Sequence, residues 1–240
     1  MSFYQSIAKY YRDIFPLQPV QAHFVRESFK DPTKSALLDV GCGTGDLSRK
    51  LADSFGRVTG IDLDTAMLDF ARESAPENLE FFILDMLNIQ KRFGEGTLNG
   101  VLCFGNTLVH LNTPESISAF IQQTRMVLGS SGKLLLQLIN YDRILDQGIQ
   151  ALPTIETEQC SFVRNYQYDE TSHMVNFESI LTIKSRAESI RNRIPLYPLR
   201  QAELQSMLSE AGYSSISFYG NFKKDALEKD SIPLVVEASV

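Results

Sequence analysis

Tryptophan is absent from this 240-residue sequence, and cysteine and histidine occur only three times each. The cysteines, Cys42, Cys103 and Cys160, lie far apart and form no C-x-x-C pair, which argues against a disulfide framework and against a zinc site. The histidines are equally dispersed, so the sequence predicts no metal site. Unpaired cysteines suit a reducing compartment, and we therefore expect a cytoplasmic protein.

Long apolar runs and dense positive charge are also missing. No apolar run is long enough to span a membrane, and residues 1–5 lack the charged and hydrophobic regions of a signal peptide. The net charge is -6, and lysine and arginine never occur more than two in succession. Because nucleic acids reward dense positive charge, a nucleic-acid partner is not expected. We expect no membrane partner, and a monomer or a homodimer.

The sequence is organised around residues 37–46, Leu-Leu-Asp-Val-Gly-Cys-Gly-Thr-Gly-Asp. This pattern predicts a buried strand, a glycine turn and a helix N-terminus, whose free N–H groups line a ligand site. Glycines at alternate positions let a ligand approach the backbone. The spacing G-x-G-x-G differs from the dinucleotide fingerprint G-x-G-x-x-G. Two flanking acids, Asp39 and Asp46, would repel a pyrophosphate but suit an ammonium or sulfonium group.

From residue 36 the chain alternates apolar runs, loops and helical patterns, which is typical of βαβ units and a parallel sheet. The fold class is therefore α/β, a Rossmann-like, doubly wound, mostly parallel sheet of seven strands. We predict its strands at residues 36–40, 57–61, 79–84, 100–104, 133–139, 215–219 and 233–238. A turn is predicted at residues 129–132, and helices are predicted at 65–74, capped by Asp64, and from Thr113 to about 128.

Two further segments flank this sheet. Residues 1–35 are predicted to be helical, with one tyrosine-rich apolar face that either packs on the sheet or acts as a lid. Residues 145–198 contain alternating segments at 156–168 and 173–184, which predict an antiparallel hairpin, and a third strand is expected at 190–197. We therefore expect a lid (1–35), a ligand-binding domain (36–144 and 199–240) and an inserted antiparallel β cap (145–198).

Four predicted strands end in polar residues that can bind a ligand. In an open parallel sheet, ligands bind outside the carboxyl ends of the strands, so these residues should share one crevice. Asp62 follows Gly43 by 19 residues, the position from which an acid reaches ribose hydroxyls in dinucleotide sites. The strand ends are Asp39 with the glycines, Asp62, Asp85-Met86 and Asn106-Thr107.

Together, the glycine motif and the second strand resemble motif I of the class I S-adenosylmethionine-dependent methyltransferases. Residues 104–111, Phe-Gly-Asn-Thr-Leu-Val-His-Leu, resemble the strand-four segment of glycine/sarcosine N-methyltransferase-like enzymes. The resemblance implies S-adenosylmethionine as cofactor and in-line methyl transfer to a nitrogen or an oxygen of a small-molecule acceptor. The implied cofactor-binding residues are Asp39, Gly41, Cys42, Gly43, Gly45, Asp62, Leu63, Met67, Asp85, Met86, Phe104 and Asn106.

The resemblance also assigns roles to these residues. Asp62 accepts the ribose hydroxyls, Asp85 accepts the exocyclic amine of adenine, and Leu63 and Met86 pack on the ring. Asp39 is more suited to orienting the loop than to touching the ligand.

Candidate catalytic residues are Asn106 near the methyl donor, His110 as general base, and Tyr11 through cation–π contact. His110 is equally compatible with a half-buried structural position. Tyrosines of the lid and of the fifth strand end are candidate substrate contacts. Arginines are also candidates because their guanidinium forks suit carboxylates, although as surface charges they need no such role. The substrate candidates are Tyr4, Tyr10, Tyr141, Arg143 and Arg193.

Three alternatives remain open at this stage. An RNA or protein methyltransferase would use the same scaffold, but a basic stripe that would favour RNA is missing. A nicotinamide-dependent oxidoreductase would need a third glycine where Asp46 stands. A non-catalytic binding module would use the cofactor as a signal.

Overall fold

Two β-sheets organise the chain in the computed structural model, which describes residues 7–186 and 188–240. The larger sheet has seven strands in the order β10-β11-β5-β4-β1-β2-β3, and the smaller has four in the order β6-β7-β8-β9. The strands are β1 (Ala36–Val40), β2 (Arg57–Asp62), β3 (Leu79–Ile83), β4 (Leu98–Cys103), β5 (Leu128–Ile139), β6 (Ala151–Glu156), β7 (Cys160–Asp169), β8 (Met174–Ile183), β9 (Glu188–Leu196), β10 (Ser215–Tyr219) and β11 (Pro233–Ser239).

Helices connect the strands of the large sheet and cover its faces. The α-helices are α1 (Tyr11–Ile14), α2 (Pro19–Glu27), α3 (Asp46–Ala52), α4 (Thr65–Arg72), α5 (Ile89–Arg92), α6 (Pro114–Val127), α7 (Tyr141–Asp146) and α8 (Gln201–Glu210). Single 3₁₀ turns are found at Ala8–Tyr10, Pro32–Lys34, Met86–Asn88 and Leu108–His110. No helix in the described part of the chain is both long and apolar enough to cross a membrane.

The large sheet confirms the predicted fold class. Strands β1 to β5 pair in parallel, whereas β11 is antiparallel to both β5 and β10. β1 lies between β2 and β4, so the strand order reverses beside β1. This reversal opens a crevice at the carboxyl ends of β1 and β4, where ligands bind in open α/β sheets.

Successive residues of β1 point to opposite faces of the sheet and build two cores. Leu38 and Val40 belong to the core that contains Phe120 of α6. Leu37 belongs to the second core, with Phe24 of α2. Because the residues that point to either face of the sheet are apolar, β1 is buried on both faces. It therefore forms a rigid base for the loop that follows it.

Two predicted helix starts are confirmed by their caps. The Asp64 Oδ1 accepts hydrogen bonds from the backbone N–H groups of Ala66 (3.0 Å) and Met67 (3.2 Å) at the start of α4. The Thr113 Oγ1 accepts from the Ser116 N–H (3.2 Å) at the start of α6. These bonds satisfy N–H groups that have no partner within the helix.

The small sheet is antiparallel throughout and contains the predicted hairpin, β7 with β8, and the predicted third strand, β9. One of its faces packs on the large core through Tyr166, Val175 and Leu196. The same sheet also packs on the N-terminal segment through Phe162 and Leu181.

Four features differ from the sequence predictions. β6 and α7 were not predicted, and β6 contains Pro153, which is tolerated because β6 is an edge strand. The predicted turn at 129–132 is wrong, because β5 runs through it and bulges between the pairs Leu98–Leu128 and Gly100–Lys133. The helical prediction for residues 1–35 corresponds, among the described residues, to four short pieces: the 3₁₀ turn Ala8–Tyr10, α1, α2 and the 3₁₀ turn Pro32–Lys34.

Candidate active site

The glycine loop after β1 folds back onto β2. The Gly41 and Cys42 N–H groups donate to the carbonyl of Ile61 at 2.8 and 3.0 Å. Gly41, Gly43 and Gly45 all have positive φ, at 69°, 53° and 72°, a region that favours glycine. The loop conformation therefore depends on the glycines themselves.

The three glycines face different neighbours. A Cβ on Gly41 would overlap the Thr107 side chain, and a Cβ on Gly45 would overlap the ring of Phe81. A Cβ on Gly43 would instead reach van der Waals contact with the Tyr11 ring, at 3.4 Å from Cε1. Gly41 and Gly45 thus permit close packing, whereas Gly43 lies under the N-terminal segment.

Asp39 connects β1 to the first turn of α3. Its carboxylate Oδ2 accepts a hydrogen bond of 2.5 Å from the Ser48 hydroxyl, and the residue is only 3% exposed. Burial raises the pKa of Asp39 to about 6, and the nearby charge of Asp62 adds to this, although the Ser48 bond opposes it. Ser48 was not singled out in the sequence, because a serine on a helix gives no signal of its distant partner.

Asp62 holds the glycine loop from the end of β2. Its Oδ2 accepts from the Gly43 N–H and its Oδ1 from the Asp64 N–H, both at 2.9 Å. Burial raises the pKa of Asp62, although these backbone bonds favour the ionised form. A carboxylate has about four acceptor positions, so Asp62 can still accept hydrogen bonds from a ligand.

The end of β3 lies next to the end of β2. Asp62 pairs with Ile83 in the sheet, and the Asp85 Oδ1 accepts from the Leu87 N–H at 2.8 Å. Leu63 is 64% exposed and Met86 is half-buried, so both side chains are accessible at this edge.

The end of β4 is tied to the end of β5 through Asn106. This residue has a φ of 67°, its amide nitrogen donates to the Tyr141 hydroxyl (3.1 Å), and its Oδ1 accepts from the Ile139 N–H (3.0 Å). Tyr141 is fully buried, and burial raises its pKa. Thr107 closes this turn by donating to the Phe104 carbonyl at 2.7 Å. Phe104 itself is buried against Phe24 and Phe222.

His110 ends the 3₁₀ turn that follows this loop. Burial lowers the pKa of His110, so its imidazole is neutral at pH 7 and is able to accept a proton. The neighbouring Val109 carbonyl accepts from the Tyr197 N–H at 3.0 Å, which attaches the cap to the loop after β4.

The N-terminal segment covers the glycine loop and contacts the cap. The pKa of Tyr11, which lies over Gly43, is raised by burial and by the charges of Asp62 and Asp39. Phe15 joins Tyr11 to Phe162 of the cap, with ring centroids 5.2 and 5.5 Å apart.

Three further sequence candidates fall on or near this segment. Tyr10 and Met67 are buried together between the N-terminal segment, α4 and the cap, and Met67 is only 1% exposed. Tyr4 lies outside the described residues.

The arginine candidates are separated. Arg143 is half-buried on α7, and its Nε has no hydrogen-bond partner among the described residues. Arg193 is exposed on the outer face of the cap, where it contacts Gln167 at 3.5 Å. The structure therefore does not place Arg193 with the other candidates, because the register of β9 turns it away from the face that packs on the core.

The electrostatics of the loop differ from the sequence expectation in one respect. Asp46 is paired with Arg49 (2.8 Å) and Arg12 (3.0 Å), so it is largely neutralised. Burial alone would raise the pKa of Asp46, but the bonds from Thr44, Arg49 and Arg12 lower it. The negative charge that remains beside the loop therefore comes from Asp39 and Asp62, which are bonded to a hydroxyl and to backbone N–H groups.

Comparison with known proteins gives a consistent result. A family described as a methyltransferase domain matches residues 37–132. The glycine/sarcosine N-methyltransferase of Aphanothece halophytica is 24% identical over 213 residues, which cover 88% of this chain and 78% of that protein.

Solved structures share the fold over nearly the whole chain. The CcbJ methyltransferase from Streptomyces caelestis superposes with a TM-score of 0.82 at 21% identity, covering 99% of this chain and 97% of that one. CalS10, an amino pentose methyltransferase from Micromonospora echinaspora solved with S-adenosylmethionine bound, gives a TM-score of 0.69 at 20% identity, covering 100% of this chain and 92% of that one.

Proposed function

The chain is a class I S-adenosylmethionine-dependent methyltransferase, and we propose that it methylates a nitrogen or an oxygen of a small-molecule acceptor by in-line displacement. The observation that supports this proposal is that two other segments of the chain contact the loops at the strand ends. Tyr11 covers the glycine loop, and the cap is attached to the loop after β4 through Tyr197. A crevice that is partly covered in this way fits a small acceptor better than an RNA or a folded protein.

The residues at the crevice fit the cofactor. We assign the ribose hydroxyls to Asp62, which is already oriented by two backbone N–H groups, and the adenine amine to Asp85. Leu63 and Met86 supply accessible apolar surface for the ring. Asp39 acts as a positioning residue, because its carboxylate is bonded to Ser48. When bound, the cofactor supplies an electrophilic methyl group on a sulfonium, and the protein supplies alignment and exclusion of water.

His110 and Asn106 are proposed for the acceptor side. Because burial keeps the His110 imidazole neutral at pH 7, it is able to take a proton from the acceptor nitrogen or oxygen. Asn106 has its side chain bonded to the Tyr141 hydroxyl and the Ile139 N–H, so it fixes the geometry of the β4 loop. Tyr11 lies among acidic groups, where its ring can face a cation.

We propose the division into lid, cofactor-binding domain and cap on the same grounds. The lid is residues 1–35, the cofactor-binding domain is residues 36–144 and 199–240, and the cap is residues 145–198. The nicotinamide alternative is wrong, because the chain is an S-adenosylmethionine-dependent enzyme. RNA or protein remains an alternative acceptor and is an outcome of the test below.

Calorimetric titration with S-adenosylmethionine tests the cofactor site. Asp62→Ala should weaken binding by about tenfold or more, because hydrogen bonds to a charged group are lost. Asp53→Ala, at an exposed carboxylate paired with Lys50, is the matched control and should bind as the wild type does. Equal affinity for all three proteins would contradict the assignment of Asp62.

Turnover then tests the acceptor class. Formation of S-adenosylhomocysteine should be detected with amines, amino acids or phenols, and His110→Gln should lower kcat more than it changes affinity for the cofactor. Transfer of a labelled methyl group into RNA or protein, with none into small molecules, would overturn the proposal.

A further inference from the structure

A row of three polar residues crosses the inward face of the cap. Arg164 of β7 lies directly opposite Ser179 of β8, and Ser179 lies directly opposite Asn192 of β9. In antiparallel pairs, opposite residues have Cβ atoms about 4.5–5.5 Å apart. The three side chains therefore form one continuous row, which is called the polar row below.

Apolar rows border the polar row on both sides. Residues two positions away along each strand share its face. Towards one end of the strands these are Phe162, Leu181 and Ile190, which pack with the N-terminal segment. Towards the other end they are Tyr166, Phe177 and Ile194, which pack with the large core. The polar row thus lies between the contact with the N-terminal segment and the contact with the large core, with Ser179 buried and Arg164 and Asn192 half-buried.

The polar row has hydrogen-bonding capacity that the described protein atoms do not use. Ser179 is 0% exposed, and its Oγ has no partner within residues 7–186 and 188–240. The Arg164 Nε and the Asn192 Nδ2 are likewise buried without a partner there. Buried polar groups are paired in the great majority of cases, with protein or with ordered water, so three such atoms in one row mark a place where a polar ligand can bind.

The chemistry of the polar row selects the ligand group. The guanidinium Nε and the amide Nδ2 are donors, and the serine hydroxyl is also able to donate. Arg164 is anchored by a bond of 2.7 Å from its Nη2 to the Pro153 carbonyl, which leaves the Nε for a ligand. The bordering rows contain no acidic residue, so nothing in them competes for these donors. The complementary group is anionic and rich in oxygen.

The polar row is also connected to the transfer site. Tyr166 borders the polar row on β7 and belongs to the same buried core as Tyr141. The Tyr141 hydroxyl accepts a hydrogen bond from the Asn106 side chain. These contacts connect the polar row to Asn106 through two tyrosines. A group held by the polar row is the end of the acceptor that is remote from the methylated atom.

We propose that the polar row binds a carboxylate at the remote end of the methyl acceptor. This inference rests on the proposed function, since it names the acceptor's chemical class for the same site. Arg164 contributes the charge, and Ser179 and Asn192 contribute neutral donors.

The test uses acetate as the probe. The melting temperature is measured as acetate replaces chloride, so that the ionic strength stays constant. Acetate should raise the melting temperature of the wild type. The apparent Kd for acetate should be about tenfold or more higher in Arg164→Gln, and it should also be higher in Ser179→Ala. Arg191→Gln is the matched control, because Arg191 is exposed on the opposite face of β9, and it should respond like the wild type. Ser179→Ala should melt no lower than the wild type without acetate, because the hydroxyl it removes has no protein partner in the described chain.

Three outcomes would overturn the proposal. These are no stabilisation by acetate, equal stabilisation of all four proteins, and tighter binding of inorganic phosphate than of acetate. Titration of the same proteins with S-adenosylmethionine separates this inference from the proposed function. Failure of the wild type to bind the cofactor would refute the function, whereas normal cofactor binding without an acetate response would refute the polar row alone.

Discussion

The buried carboxyl group of Asp39 should make the folded protein lose stability as the pH rises from 4 to 6. Its pKa is raised from 3.8 to about 6, so the folded protein keeps a proton that the unfolded chain has already lost in this range. The stabilising contribution is fully present below pH 3.8 and disappears as the pH rises through 6. At 1.36 kcal/mol per pH unit, the loss is about 3 kcal/mol.

Asp39→Asn isolates this contribution, because an amide does not titrate and the remaining carboxyl groups change equally in both proteins. The free energy of unfolding, measured by urea denaturation from pH 4 to pH 7, should rise for the variant relative to the wild type by about 3 kcal/mol across the range. Asp53→Asn, at an exposed carboxylate, should run parallel to the wild type. A constant difference between Asp39→Asn and the wild type at every pH would refute the reasoning.

Three further predictions follow from the same site. Gly41→Ala should destabilise the protein more than Gly105→Ala, because both have positive φ but only the Cβ on Gly41 would overlap Thr107; equal melting temperatures would contradict this. Asn106→Ala should cost about 1–3 kcal/mol in urea denaturation by removing its bonds to Tyr141 and to a backbone N–H, and an unchanged midpoint would refute that role. The affinity for S-adenosylmethionine should rise between pH 5 and pH 7, because the positively charged cofactor favours the ionised forms of Asp39 and Asp62, whose pKa values are raised. A fall in affinity measured by calorimetry would refute this.

Strands β1 to β5 and the glycine loop were predictable from the sequence because their signals are local. Apolar runs alternate with helical patterns, and each of the first four runs ends in a glycine, acidic or amide residue. The turn prediction at 129–132 failed and β6 was missed for the same reason. Glycines predict a turn and Pro153 argues against a strand, but pairing with a neighbouring strand decided both.

The site was less predictable where partners are distant in sequence. Asp46 looks like a free acid until Arg12, 34 residues earlier, is seen beside it. The polar row had a weak signal, since Arg164, Ser179 and Asn192 each interrupt an alternating apolar pattern in their strands. Only the register of the cap places these interruptions opposite one another.

The position of the N-terminal segment has a consequence for the catalytic cycle. Tyr11 contacts the glycine loop at Gly43, and Ile14, less than one helical turn further along the chain, is buried against the cap. One short piece of chain therefore contacts both the glycine loop and the cap. We expect that the cofactor and the methyl acceptor enter through the same opening. We also expect that the movement of the N-terminal segment that releases the demethylated cofactor exposes the acceptor site to water.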